Sequence, residues 1–123
     1  MDEISPKLQN QIAQFQQVQQ QLQQIMSQKY RMEAQMREME MTTEELKKAA
    51  ADAPVYKNVG SLMVMVKDKE ALLHEIEDDK ETTEVRVKSL DRQEKMLKDK
   101  YPVMQEQISR ALGNAPAAAD EEN

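Results

Sequence analysis

The chain has no cysteine and no tryptophan, and its 123 residues include only one phenylalanine, three tyrosines and two glycines. Without cysteine there can be no disulfide, thiolate zinc site or iron–sulfur cluster, and no oxidising compartment is needed. The two glycines, Gly60 and Gly113, stand far apart, so neither a Walker A loop nor a dinucleotide-binding fingerprint can be written. An aromatic content of 3% supplies too little bulk for a compact core. No apolar run approaches the roughly 20 residues of a membrane span, and no signal-peptide pattern opens the chain. A soluble, cytoplasmic protein is expected. The net charge of −6 offers no basic excess to phosphate or anionic lipid.

Catalytic constellations are missing too. The single histidine, His74, falls early in a helical stretch beside Leu73, where a solvent-facing helix residue is the plain reading. Asp78 and Asp79 could attract a divalent ion, but with the lysines and arginines around them they read as a solvated charged face. No Ser/His/Asp or Cys/His set exists. The expectation is a protein that is not an enzyme and holds neither metal nor cofactor.

What the chain does have is helical periodicity on either side of a short β-prone insert. Ser5-Pro6 reads as an N-cap followed by proline at the first helical position. A heptad seam then runs through Leu8, Gln11, Phe15, Val18, Leu22, Ile25, Lys29, Met32, Met36, Met39, Thr43, Leu46, Ala50 and Ala53, and eleven of these fourteen positions are apolar. That fraction favours a coiled coil over a solvated single helix. The first helix is predicted over residues 6–53, after a leader of residues 1–5, and would be roughly 70 Å long. Pro54 ends it, because the residue before a proline is pushed out of the helical region.

Residues 54–68 change character. Val55–Val59 and Leu62–Val66 are β-prone runs on either side of Gly60-Ser61, a plausible two-residue hairpin turn. The second run is apolar on both faces, with Leu62, Val64 and Val66 on one and Met63 and Met65 on the other. A strand covered on both faces belongs in a barrel or sandwich, and a lone hairpin is marginal in water. The hairpin therefore calls for other chains.

Asp68 can cap a second helix over residues 69–112. Its seam is Leu73, Ile76, Lys80, Thr83, Val87, Leu90, Glu94, Leu97, Tyr101, Met104, Ile108 and Ala111, with nine of twelve positions apolar. Gly113 is a natural C-terminal stop. The acidic tail over residues 113–123 lacks apolar bulk and is expected to be disordered. Folding back about the hairpin sets Lys29 against Glu94, Leu22 against Tyr101, Phe15 against Ile108, and Thr43 near Lys80 and Thr83. The polar breaks of the two seams then coincide, a device that fixes register. A parallel dimer would instead set Lys29 against Lys29. The fold class that follows is mainly α: a long antiparallel two-helix coiled coil joined by a single β-hairpin that assembles into an oligomeric β-barrel platform.

Several features bear on function. Ile4, Leu8, Ile12 and Phe15 form one apolar stripe near the N-terminus, and Met104, Ile108, Ala111 and Leu112 form another near the C-terminus. Leu8, Phe15, Ile108 and Ala111 can close the seam on one another, whereas Ile12 and Leu112 fall beside it without obvious cover. An apolar tip that grips non-native chains and an ordinary fraying coiled-coil end both fit. Met32, Met36 and Met39 suit a promiscuous surface but lie on the seam, where core is the plainer role. The eleven glutamines between Gln9 and Gln28 alternate with a clean heptad and read as a polar helix surface. Pro102 inside the second helix removes a hydrogen bond, so a kink near residues 98–102 or an interruption is expected.

The order helix, single hairpin, helix, with Val55-Tyr56-Lys57-Asn58-Val59-Gly60 and Leu62-Met63-Val64 in the joint, resembles a prefoldin beta-type subunit. The Gln-rich first helix, Lys67-Asp68, Arg92-Gln93-Glu94 and Met104-Gln105 strengthen the resemblance, which covers roughly residues 5–112. It rests on the ordered set, since no single short motif is decisive. The resemblance implies a heterohexamer of two alpha-type and four beta-type subunits, with hairpins assembled into a double β-barrel and coiled coils hanging from it. It also implies ATP-independent capture of unfolded client proteins and delivery to a group II chaperonin. Carried over, Val55, Tyr56, Val59, Leu62, Val64 and Val66 would form the oligomer interface. Ile4, Leu8, Ile12, Phe15, Met104, Ile108 and Leu112 would form the client-binding tips. Pro102 and the acidic tail are not part of the family pattern. Two rival readings are a structural scaffold or tether for a defined native partner, and an RNA-binding coiled-coil arm. The latter lacks the basic stripe that phosphate binding needs.

Overall fold

The computed structural model describes residues 4–113. The elements run α1 (Pro6–Lys48), β1 (Tyr56–Val59), β2 (Leu62–Met65) and α2 (Lys69–Ala111). Each helix is 43 residues long. The fold class expected for the chain itself, two long helices about one antiparallel hairpin, is the observed one. The acidic tail beyond Gly113 lies outside the described residues.

Local chemistry sets the ends of each element. Ser5 Oγ accepts the Leu8 N–H at 3.1 Å, and Ser5 O accepts the Gln9 N–H at 2.9 Å. Pro6 sits at the first helical position, where its missing N–H costs nothing. Asp68 Oδ1 accepts the Ala71 N–H at 3.1 Å and caps α2 in the same way. Gly113 closes α2 with φ +79°, and its N–H reaches Arg110 O at 2.9 Å. That backbone angle is strained for residues with a Cβ.

The first helix departs from expectation at its end. It stops at Lys48, five residues before Ala53, and the chain turns through residues 49–53. The Ala53 N–H closes this turn on Ala50 O at 3.0 Å. Lys69, at the start of α2, donates its Nζ to Ala50 O at 2.9 Å and Ala51 O at 3.1 Å. Lys69 thus ties the turn after α1 to the start of α2, across 18 and 19 residues of sequence. Pro54 sets an outer limit on the helix, which stops earlier at Lys48.

The second helix also differs from the more disruptive of two expectations. It continues unbroken past Pro102 to Ala111, so the proline removes one N–H donor without ending the helix.

The described residues divide into two compact units, one holding residues 4–29 with 89–113, the other Tyr30–Lys88. In the first, α1 and α2 meet antiparallel. The Phe15 and Tyr101 rings lie 4.8 Å apart, Gln19 Nε2 donates to Tyr101 Oη at 3.2 Å, and Lys29 reaches Asp91 and Glu94. In the second the same sense holds, with Lys80–Glu40 at 3.3 Å and Lys47–Glu77 at 3.9 Å. Every predicted seam position of α1 from Leu8 to Leu46, and of α2 from Leu73 to Ile108, is buried or half-buried. Leu8, Val18, Val87 and Leu90 are the most enclosed apolar side chains. Ala50 and Ala111, predicted on the seams, are exposed. One lies past the end of its helix and the other is its last residue.

Candidate functional site

The hairpin is antiparallel and two-stranded, pairing Tyr56 with Met65, Lys57 with Val64, Asn58 with Met63, and Val59 with Leu62. The Val66 N–H donates to Val55 O at 2.8 Å and extends the ladder by one step. Gly60 and Ser61 form the two-residue loop, and Gly60 adopts φ +61° with open space around its Cα. Glycine is required there by conformation rather than by crowding.

Directly opposed residues share a face, and alternate residues point to opposite faces. The register therefore places Val55, Lys57, Val59, Leu62, Val64 and Val66 on one face, and Tyr56, Asn58, Met63 and Met65 on the other. Of the six residues expected to form an interface, Tyr56 stands on the face opposite the other five. Among the described residues, all eight strand residues are exposed. Leu62 is 66% exposed and Met63 70%. Val55 and Val66, just outside the strands, are half-buried. Met63 and Met65 were not among the six, although the period-2 pattern already put them on a second apolar face.

The chain ends are arranged differently. Ile4 and Leu112 are exposed, but Leu8 is only 6% exposed and belongs to the closed seam. Phe15, Met104 and Ile108 are half-buried. Ile12, expected to lack cover, is half-buried as well. The ring of Phe15 packs on that of Tyr101. Tyr101 was expected to meet Leu22, and the two do line one open cleft with Met26, Lys98, Pro102 and neighbouring glutamines. The attraction between two aromatic rings, with a hydroxyl partner in Gln19, accounts for this pairing. Val103 is exposed on α2 and was missed, because it lies off the heptad seam.

Between the helices sits a charged cluster. Lys29 Nζ is 2.7 Å from both Asp91 Oδ1 and Glu94 Oε1, and Lys98 Nζ is 2.8 Å from Glu94 Oε2. Glu94 is the buried charged side chain among the described residues. The Asp91 and Glu94 hydrogen bonds push the Lys29 ammonium well above the ordinary lysine range, against the effect of burial. The Lys29 hydrogen bond, followed by that from Lys98, holds the Glu94 carboxyl below its ordinary value. Lys80, which the predicted register sets near Thr43, pairs with Glu40, one turn before Thr43 on α1. Thr43 Oγ1 is buried without a hydrogen-bond partner among the described residues.

No cluster of three or more potential metal ligands occurs among the described residues, and no described helix is long and apolar enough to cross a membrane. The arrangement is that of a coiled-coil subunit whose apolar hairpin is left uncovered. Residues 9–115 match the model of the prefoldin subunit family. The chain is 47% identical over 111 residues to prefoldin subunit beta of Methanosarcina acetivorans, covering 90% of this chain and 94% of that one. It is 51% identical over 113 residues to prefoldin subunit beta of Methanocella arvoryzae, covering 92% and 89%. The crystal structure of the prefoldin beta subunit from Thermococcus strain KS-1 superposes with a TM-score of 0.73 at 37% identity, covering 91% of this chain and 97% of that chain. The chain belongs to the prefoldin subunit family. Prefoldins are chaperones rather than enzymes, and their subunits work in hetero-oligomeric complexes.

Proposed function

We propose that this chain is the beta-type subunit of an ATP-independent holdase in the cytoplasm. Four copies join two alpha-type subunits through their hairpins, which close into a double β-barrel. The coiled coils hold unfolded proteins at their ends and pass them to a group II chaperonin. The observation that carries this reading is the contrast between a closed helical seam and a hairpin whose strand residues are all exposed. Free strand edges with apolar faces invite pairing with other chains, and closure into a barrel removes them. Ile4, Leu112 and Val103 are exposed apolar groups in one and the same unit. Several such arms, each binding weakly, would retain a client through multivalency.

The test is suppression of aggregation of a chemically denatured reporter by the assembled complex without nucleotide. Ile4→Ser with Leu112→Ser should weaken suppression while leaving the mass of the complex unchanged. Removing residues 1–12 together with 108–123 should weaken it further. Undiminished suppression by both variants would place client binding elsewhere.

A further inference from the structure

The aliphatic face of the hairpin carries one charge. Lys57 lies among Val55, Val59, Leu62, Val64 and Val66, directly across from Val64. Its side chain makes no ion pair among the described residues. Asp68 and Glu75 line the same small cleft as Lys57, yet neither lies within ion-pair distance, and Asp68 Oδ1 is taken by the Ala71 N–H. Residues 55–66 contain no aspartate or glutamate.

A strand added along β1 would place one residue directly opposite Lys57, with Cβ atoms about 5 Å apart. If that strand comes from a second copy of this hairpin, no register supplies a carboxylate there. Lys57 would face lysine, an amide, a hydroxyl or an apolar side chain. A like charge directly opposite is destabilising, and a charge enclosed among aliphatic groups without a partner is more so.

Resting on the hairpin-assembly reading above, we propose that Lys57 selects the neighbour at the β1 edge. The strand that pairs there belongs to a different prefoldin subunit and carries aspartate or glutamate opposite Lys57. The charge complementarity favours a mixed complex over self-association of this chain.

The experiment uses the full chain with its alpha-type subunit. Zero-length carbodiimide cross-linking of the assembled complex should join Lys57 to a carboxylate of the alpha-type subunit, identified by mass spectrometry. Lys57→Glu should weaken binding of that subunit by about tenfold, and Lys57→Met should raise self-association. Unchanged affinity in Lys57→Glu, or cross-links from Lys57 only to a second copy or to Asp68 or Glu75 of its own chain, would overturn the proposal. Val64→Asp separates the two readings. If it too leaves assembly intact, assembly through the hairpin fails. If it abolishes assembly while Lys57→Glu does not, only the selection by Lys57 fails.

Discussion

Lys29 Nζ lies 2.7 Å from Oε1 of Glu94, joining two helices across 65 residues of sequence. Both are polar interruptions of mostly apolar seams, and each satisfies the other. Asp91 and Lys98 complete the cluster, so neither charge is left alone in the partly dry space between the helices. Such a cluster adds little net stability compared with well-packed apolar residues, but it penalises registers that separate its members.

The first prediction concerns this pair. Lys29→Met alone leaves Glu94 with Lys98 only and should destabilise the chain by about 1–2 kcal/mol. Lys29→Met combined with Glu94→Leu should recover most of that loss. The double-mutant cycle, followed by thermal unfolding at fixed protein concentration, should give a coupling of about 1 kcal/mol. Additive effects would mean that the bridge does not hold the register.

The second is a pH dependence. The Glu94 carboxyl is held below its ordinary value, so its contribution is fully present above about pH 4.3 and is lost as the pH falls through the lowered folded value. Lys29 is raised, so its contribution is present below about pH 10.4 and is lost only as the pH rises through the folded value. These two groups therefore leave stability level between about pH 5 and 10, with a fall in acid. Glu94→Gln should be less stable than the parent at neutral pH and should show a smaller acid-induced loss, read from melting temperature against pH.

A third follows from Thr43, whose buried hydroxyl has no partner among the described residues. Thr43→Val keeps the shape and removes the unsatisfied group. It should stabilise the chain by about 1 kcal/mol, visible as a higher melting temperature. A lower melting temperature would show that the hydroxyl is satisfied by water or by another subunit.

Much of this protein is written in local sequence. A seven-residue repeat of Leu, Ile, Val and Met defines both seams, and from Leu8 to Leu46 and Leu73 to Ile108 it is followed position by position. Ser5, Asp68, Gly60 and Gly113 mark element ends through interactions within one turn. The Lys29–Glu94 partnership was also legible, because a chain folded about its midpoint has only a narrow choice of register.

Other features depended on groups far apart in the chain. The turn after α1 is held by Lys69, which reaches back to carbonyls that only a folded joint brings near it. Tyr101 packs on Phe15 and accepts a hydrogen bond from Gln19, contacts made across helices. Apolar stripes at the chain ends looked alike in sequence, yet Leu8 is enclosed while Ile4 and Leu112 are exposed. Hydrophobicity states what a side chain prefers, and exposure records whether a neighbour was available to satisfy it. By itself, then, the sequence determined two heptad helices, their caps and the hairpin between them, since each rests on periodicity or on bonds within a turn. The tertiary structure alone decided which apolar groups remained uncovered and that Lys57 shares a face with five aliphatic neighbours, because both follow from strand and helix register.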